Sequence, residues 1–430
     1  MESIKLWARN GEAVRQAIEL GEIAHIETAS EELTDALLLF AIESGLLQTW
    51  AEAFPDPRDA PEIGMGVILP AHIAARFAGL YSMRKAGYVL RSARVLGALG
   101  HSVEVIEPAQ GLSLRGTSDD KLFSGDVVRK LLVKMEQKAD VRQPACLPPP
   151  APSVAGKARQ RASRRAVKQA VDAVDAEVRA LRVAAQLVNW YNQQVGPSLL
   201  QYARLGTGRR IHILDTTRIE VALETGTYEC SGVVKNEDGT YARGYKLATL
   251  RTLMDSAGLF THVAISAIQV HDVALCRPFL EQAAVLRPGD LLLEDRGFLD
   301  GATVTDLKHR RHVDVVIPLK ANMLATQEAI ALANLADQWE AHPARADQRI
   351  AFVRGVEHMW SACEVPLNAC VIRFWNKKKK RTDHIVLVTT DLELNASWMV
   401  RHYEERPEIE QDYEQLKSGG WQLKKLSATR

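Results

Sequence analysis

Four residues near the end of the chain place an acid, two bases and a phenol within one short segment. They are Tyr403, Arg406, Glu410 and Lys417, in HYEERPEIEQDYEQLKSGG. On a helix, Glu410 and Lys417 would differ by about 20° in azimuth and lie about 10 Å apart along the axis, so they would share one face. Pro407 fits the first position of that helix, which places Glu410 in its first turn. A carboxylate that suits a metal ion and cations that suit phosphate therefore lie together.

The pattern alone leaves two alternatives open. Glu414 lies one turn after Glu410 on the same face, so it offers a second carboxylate there. An amphipathic helix with a solvated charged face would also have this composition. Acidic residues elsewhere in the chain are needed to decide.

Two aspartates upstream lie in segments that predict strands. Residues 211–223 are rich in β-forming residues and contain Asp215, a residue type that strands disfavour. Asp295 follows the apolar run LLLE after a Pro-Gly turn, which predicts a buried strand with Asp295 at its carboxyl end. A carboxylate there costs stability unless something binds it, usually a divalent cation; the alternative is an aspartate that caps a turn. The neighbouring carboxylates are interpreted as surface or turn residues: Asp290, Glu294 and Asp300.

Three carboxylates in the order Asp, Asp, Glu suit two-metal phosphoryl transfer. Two Mg²⁺ ions about 4 Å apart activate the attacking oxygen and stabilise the leaving oxygen. Mg²⁺ prefers hard oxygen ligands and keeps several waters, so no histidine or cysteine is needed. The five cysteines form no CxxC pair, which predicts neither a zinc site nor a disulfide framework.

The segment from Tyr403 to Lys417 resembles the Y-(2)-R-(3)-E-(6)-K signature of DDE transposases of the insertion-sequence-four group. LLLEDRGFLDG also resembles the second-aspartate segment of that group. The resemblance covers roughly residues 205 to 420. It implies an α/β fold with a ribonuclease-H-like mixed sheet flanked by helices, an inserted antiparallel β subdomain and a helical N-terminal domain.

The resemblance also implies roles for individual residues. The catalytic and metal-binding residues would be Asp215, Asp295 and Glu410, holding two Mg²⁺ ions that Mn²⁺ can replace. Arg406 and Lys417 would bind phosphates near the scissile bond, with a further hydrogen bond from Tyr403.

The implied enzyme cuts double-stranded DNA at the terminal inverted repeats of an insertion element and joins the ends to target DNA, as a homodimer in the synaptic complex. Two alternatives stay open: a catalytically inactive, truncated remnant that only binds DNA, and a ribonuclease-H-like nuclease without strand transfer. The chain stops thirteen residues after Lys417, where relatives continue with an apolar helix, which favours a truncated copy.

The interval between Asp295 and Glu410 contains alternating segments that predict an antiparallel insertion at about 321–398. These segments are QRIAFVRGV, HMWSACEV, NACVIRFWN and DHIVLVTT. Members of the group often carry a tryptophan in the last inserted strand, where it stacks on a flipped base. Here that strand has none, and Trp375 lies one strand earlier. The hairpin between these strands would contact the DNA backbone, unless it is a solvated loop tip, through Lys377, Lys378, Lys379 and Lys380.

The rest of the chain predicts three parts. Residues 1–140 are expected to form a helical domain, residues 141–165 a flexible linker rich in Pro, Ala, Ser and Arg, and residues 166–430 the catalytic domain. The resemblance implies that the helical domain binds the DNA ends. Two helical runs that meet near residues 85–87 permit a helix-turn-helix. The net charge is only +1, but from Arg142 to Arg210 basic residues outnumber acidic residues by nine. Without a signal peptide or a stretch of 18 apolar residues, a cytoplasmic protein with no membrane partner is expected.

Overall fold

The computed structural model describes residues 16, 19–21, 33–61, 63–77, 93–99, 125–138, 182–203, 208–221, 231–254, 258–356 and 360–417. The predicted linker, the possible helix-turn-helix junction, most of the basic cluster and residues 418–430 lie outside these ranges. The division of the chain near residues 140 and 165 therefore stays a prediction.

The described residues before the sheet are mainly helical. Their helices are α1 Leu33–Glu43, α2 Leu46–Glu52, α3 Met65–Phe77, α4 Ala93–Ala98, α5 Gly125–Lys138, α6 Arg182–Trp190 and α7 Gly196–Tyr202. Apolar residues recur on the inner faces of α1, α3 and α5 and form a core that includes Leu38, Ile68, Leu131 and Met135.

The N-terminal helices pack against α6 and α7, which in turn cover an edge of the sheet. The Trp50 indole donates to the Ser198 hydroxyl (2.7 Å), and the Trp190 indole donates to the Trp50 carbonyl (2.9 Å). A π-helical turn, residues 191–195, joins α6 to α7. Within it, the Asn192 amide binds both the N–H and the carbonyl of Val263 (2.8 and 2.9 Å), so it satisfies an edge strand in place of another strand.

In the described part of the chain, ten strands form one mixed sheet. They are β1 Ile211–Val221, β2 Gly232–Lys235, β3 Tyr241–Leu253, β4 Gly258–Ala267, β5 Leu291–Leu293, β6 Asp314–Pro318, β7 Glu340–Ala341, β8 Arg349–Val356, β9 Leu367–Asn376 and β10 Arg381–Thr389. The order is β2-β3-β1-β5-β6-β10-β9-β8-β7, and β4 also pairs with β3. Strands β1, β5 and β6 are parallel, and the other pairs are antiparallel. This mixed α/β sheet is consistent with the ribonuclease-H-like fold that the sequence predicts.

Helices cover both faces of the sheet. They are α8 Asp272–Gln282, α9 Gly301–Asp306, α10 Leu324–Ala336, α11 Ala396–Tyr403 and α12 Glu408–Lys417. Since side chains alternate along a strand, Leu214 packs with the core beneath α8, and Ile213 packs with the core beneath α11 and α12. Asp215 therefore shares the face of α11 and α12, and Thr216 shares the face of α8.

The region predicted as a β insertion does contain antiparallel strands, and they extend the main sheet. β10 pairs with β6, with Leu387 opposite Pro318. The prediction that HMWSACEV forms a strand is wrong for its described residues, 360–365. These residues form turns and loop. The alternation in this segment arises because Trp360, Cys363 and Val365 pack into the core from a loop.

The interpretation of the neighbouring carboxylates as surface or turn residues is wrong for Glu294, which is buried directly after β5. Asp290 does close a turn with Arg287 but is buried and not on the surface. Asp290 is 4% exposed and accepts hydrogen bonds from His212 Nε2 (3.1 Å) and Arg210 (2.9 Å). Glu294 is 1% exposed, and burial, with a smaller effect of Asp300, raises its pKa to about 8. A run of apolar neighbours cannot reveal that a carboxylate is buried when its partners lie far along the chain.

The Asp290 network supports structure and not catalysis. His212 also contacts the Thr252 hydroxyl (2.8 Å). Thr252, His212 and Asp290 therefore form a hydroxyl, an imidazole and a carboxylate in a row, which is the arrangement of a nucleophilic catalytic triad. However, His212 and Thr252 are completely buried, so no substrate can reach them.

Within the described part of the chain, no helix is long and apolar enough to cross a membrane.

Replacing Asp290 by asparagine should lower the free energy of unfolding by about 2 kcal/mol at neutral pH. Burial alone would raise the pKa of Asp290, but hydrogen bonds from His212, the Arg287 amide and Arg210 lower it to about 2. A lowered pKa stabilises the fold fully above the ordinary value near 3.8, and this stabilisation is lost as the pH falls through about 2.

Urea unfolding of the wild type and the Asp290→Asn variant between pH 2 and 7 measures this effect. The matched control is Asp306→Asn, a more exposed carboxylate that pairs with Arg277 on the surface. A difference between wild type and Asp290→Asn that does not shrink toward pH 2 would contradict this origin of the stability.

Candidate active site

Asp215 and Asp295 lie just beyond the parallel pairing of β1 with β5, Asp215 within the longer strand β1 and Asp295 after the end of β5. The pairing of β1 with β5 ends at Ile213 and Leu293, and each aspartate comes two residues later. Asp295 begins a 3₁₀ turn, Arg296–Phe298, and its carboxylate accepts the Arg296 N–H (2.5 Å). The end of neighbouring parallel strands is where α/β sheets commonly place ligand-binding groups.

Glu410 reaches the same region from α12, which packs on β1. The helix begins at Glu408, directly after Pro407, so Glu410 lies in its first turn as the sequence predicts. The predicted residue Tyr403 is the last residue of α11, and Lys417 is the last of α12.

The Asp215 side chain is only 14% exposed, whereas the Glu410 side chain is 60% exposed. Burial raises its pKa to about 6; the Thr216 N–H (2.7 Å) and Arg406 oppose this increase, and the charges of Asp295 and Glu410 add to it. All three predicted carboxylates are therefore close enough to interact electrostatically.

Arg406 lies between two of these carboxylates. Its guanidinium bonds Asp215 Oδ2 at 3.4 Å and Glu410 Oε1 at 2.9 Å, and only 12% of its side chain is exposed. It also hydrogen-bonds the Tyr403 phenol, whose pKa is raised by burial. Arg406 thus provides a positive charge at the point where the acidic residues meet.

The donor type at this site fits Mg²⁺, because the converging ligands are carboxylate oxygens. Burial, and to a smaller extent the charges of Asp295 and Glu410, raise the pKa of Asp215, and a cation bound at its carboxylate would favour the charged form. Among the described residues, however, no three His, Cys, Asp or Glu side chains are grouped closely enough to hold a metal ion. A cation that binds both Asp215 and Glu410 would have to displace the Arg406 guanidinium.

Two groups of residues around the carboxylates were not predicted from the sequence. Tyr413 donates a hydrogen bond to the Asp215 main-chain carbonyl (2.8 Å) from α12. On the opposite face, Asp272 at the start of α8 accepts hydrogen bonds from Thr216 (2.8 Å) and from the buried Lys246 (2.8 Å). The only sequence signal for these residues is a polar group at an inward-facing position, which does not identify the partner.

The predicted basic hairpin exists but lies apart from the carboxylates. Residues 377–380 form the turn between β9 and β10, and Trp375 is 58% exposed. The register through β5, β6 and β10 to β9 places Trp375 five residues beyond the level of Asp215 and four strands across, or about 25 Å away. Lys379 pairs with Asp383 at 3.1 Å.

The basic residues Arg209 and Arg210, at the end of the predicted basic cluster, have acidic partners within the fold. Arg209 pairs with Asp314 (3.1 Å) and with Asp391, and Arg210 pairs with Asp290. They hold the base of the sheet together, so they add little to any positive surface.

Comparison with known proteins identifies the family of this chain. No curated protein matches it. A solved structure, the NurA nuclease from Sulfolobus solfataricus, is 8% identical and covers 53% of this chain and 85% of its own, but its TM-score of 0.22 supports no structural argument. The model of the transposase DDE domain matches residues 206–430, more than half of the chain and the part that contains all three carboxylates. The chain therefore belongs to the transposase DDE domain family.

Proposed function

We propose that this protein is a DNA transposase of the insertion-sequence-four group, which cuts the ends of an insertion element and joins them to target DNA. The observation that supports this proposal most is the bridging of Asp215 and Glu410 by Arg406, beside the end of the β1–β5 pairing that Asp295 follows. All three carboxylates lie within the matched DDE domain. Each carboxylate comes from a different part of the fold: Asp215 from β1, Asp295 from the turn after β5 and Glu410 from α12.

The three carboxylates would hold the metal ions. Two Mg²⁺ ions, or Mn²⁺ in their place, would activate the attacking oxygen and stabilise the leaving oxygen in an in-line displacement at phosphorus. The chain positions Asp215 through the Thr216 N–H and Asp295 through the Arg296 N–H. Both carboxylates are thus oriented before a substrate binds.

Cationic and phenolic groups beside the carboxylates would bind the DNA backbone. Arg406, Lys417 and Tyr403 would contact phosphates near the scissile bond, and Arg406 would exchange its carboxylate partners for a phosphate. The exposed Trp375 and the hairpin lysines would bind DNA farther from the cut. Residues 1–140 would recognise the terminal inverted repeats, and a homodimer would bring two ends together.

The proposal is tested with a DNA duplex that carries the inverted repeats flanking the gene. With Mg²⁺, the purified chain should release a 3′ hydroxyl at the repeat end and transfer it to a plasmid target. Cleavage without transfer would leave a nuclease of the same fold. Binding without cleavage in Mg²⁺ or Mn²⁺ would contradict the enzymatic proposal.

The hairpin contributes a separate prediction. Combined replacement of Lys377, Lys378 and Lys380 by alanine should weaken binding of end DNA. The slope of log binding constant against log salt concentration should become shallower by up to about 3, because each lost phosphate contact lowers it by about 0.9. The measurement is fluorescence anisotropy with end DNA at several salt concentrations.

The matched control replaces Lys235, an exposed lysine on strand β2 at the opposite edge of the sheet. It should leave the salt dependence unchanged. If the triple variant keeps the wild-type slope, these lysines face solvent in the complex and the hairpin is only a solvated tip.

A further inference from the structure

Tyr413 is a buried residue of α12 that lies one turn after Glu410. The two are three positions apart, about 60° in azimuth, so they leave the helix on neighbouring faces. Tyr413 is 4% exposed, whereas 60% of the Glu410 side chain is exposed. Tyr413 therefore faces the sheet while Glu410 faces the site.

The phenol of Tyr413 connects α12 to two strands, β1 through Asp215 and β3 through Thr249. Its O–H donates to the Asp215 main-chain carbonyl (2.8 Å), and the same oxygen lies 2.6 Å from Thr249 Oγ1. A phenol has one proton, and a carbonyl can only accept it, so Thr249 is the donor in the second bond. Asp215 and Thr249 are directly opposite each other in the β1–β3 pair.

The ring of Tyr413 is held in place by packing against another aromatic ring. It stacks on Phe260 of β4 with ring centroids 5.8 Å apart and planes 8° from parallel. A separate hydrogen bond, from Tyr191 of the π-helical turn to the Phe260 carbonyl (2.5 Å), acts on the main chain of β4 and not on the stacked rings. Aromatic packing from β4 therefore holds the phenol where it can reach Asp215.

A second attachment prevents α12 from sliding along β3. The Arg251 side chain, 5% exposed, donates to Asp412 (2.5 Å) and pairs with Glu408 (3.2 Å). Arg251 fixes the helix to the sheet, but it does not contact the residue that bears the first carboxylate. Tyr413 supplies that contact.

We propose that Tyr413 is a positioning residue that sets the separation between the carboxylates of Asp215 and Glu410. The inference rests on the proposed metal-dependent function of these two residues. Metal ligands must be held within a few tenths of an ångström of their required places, and groups behind the ligands commonly change metal affinity by about 10- to 100-fold. A hydrogen bond from the Glu410 helix to the Asp215 main chain provides this kind of control.

The test compares Tyr413→Phe with Tyr191→Phe in the full chain. Both variants lose one phenol that donates to a main-chain carbonyl, but only Tyr413 contacts Asp215. The Mg²⁺ concentration that gives half-maximal cleavage of end DNA should rise about tenfold or more in Tyr413→Phe and stay near wild type in Tyr191→Phe. The increase in melting temperature on adding MgCl₂ alone should shrink only in Tyr413→Phe.

The outcomes separate this inference from the proposed function. If the wild type cleaves with Mg²⁺ and a folded Tyr413→Phe has the wild-type Mg²⁺ requirement, the inference is overturned and the function stands. An equal change in both variants also overturns it, because general loss of stability would then explain the effect. If the wild type neither cleaves nor is stabilised by Mg²⁺, the proposed function fails and the inference fails with it.

A second variant covers the case in which Tyr413→Phe does not fold. Phe260→Leu removes the stacked ring and keeps the phenol. The phenol then loses the packing that holds it where it can donate to the Asp215 carbonyl. A raised Mg²⁺ requirement supports the inference. A wild-type requirement in folded Phe260→Leu overturns it.

Discussion

An Asp215→Asn chain should lose Mg²⁺-dependent cleavage of end DNA by about 10³-fold or more, and it should become more stable. Stabilisation of the reacting phosphate by a metal ion contributes several kcal/mol, and each 1.4 kcal/mol corresponds to a tenfold change in rate. Asparagine keeps the size of the side chain and can still accept the Thr216 N–H, but it removes the charge that holds the metal.

The gain in stability follows from the raised pKa of Asp215. Burial and the neighbouring acids raise this pKa from 3.8 to about 6, so the folded state binds the proton more tightly than the unfolded state. Stability from this group is therefore lost as the pH rises from about 4 to 6. Removing the ionisable group should raise the free energy of unfolding by up to about 3 kcal/mol at pH 7.

The same loss of cleavage is expected for Asp295→Asn and Glu410→Gln, with binding of end DNA largely kept. The matched control is Glu414→Gln, one turn after Glu410 on the same helix, which should cleave at the wild-type rate. If Glu410→Gln cleaves normally and Glu414→Gln does not, the third acidic residue is misassigned. Urea unfolding and single-turnover cleavage of the same preparations show whether stability and activity change in opposite directions.

The sequence predicted the elements that carry the three carboxylates because each has a strong local pattern. The apolar run before Asp295 specifies a buried strand, the β-rich run around Asp215 specifies a second, and Pro407 marks the beginning of the helix with Glu410. The chain order of these elements then fits a mixed sheet, whose parallel strands end at one edge. Local chemistry was enough for this part.

What the sequence did not predict depends on partners far apart in the chain. Tyr413 and Asp215 are separated by 198 residues, and Asp290 and Arg210 by 80. The periodic pattern shows that Tyr413 faces inward, but it cannot show which strand its hydroxyl meets. The same limit explains the error at Asp290, whose burial is tolerated only because distant donors surround it.

Arg406→Met should bind Mg²⁺ more tightly than the wild type without DNA, by about tenfold, and yet cleave end DNA more slowly. The guanidinium bonds both Asp215 and Glu410, so a divalent cation that uses these oxygens must displace it. Removing the positive charge makes the site more negative and increases its attraction for a cation. Cleavage should fall because the same arginine would bind a phosphate during the reaction. Arg406→Lys keeps a charge but not the planar fork, so it should cleave poorly without the gain in Mg²⁺ affinity.

The two effects are measured separately, by the Mg²⁺-induced increase in melting temperature without DNA and by single-turnover cleavage with DNA. The control is Arg345→Met, which removes an arginine whose acidic partner in the described structure is Glu404 (2.8 Å), just after α11, and not one of the three carboxylates. It should change neither quantity. A parallel change of both quantities in Arg406→Met, whether up or down, would contradict the exchange of partners. Arg406 would then bind only the carboxylates or only the DNA, because a residue that alternates between them must affect metal binding and cleavage in opposite directions.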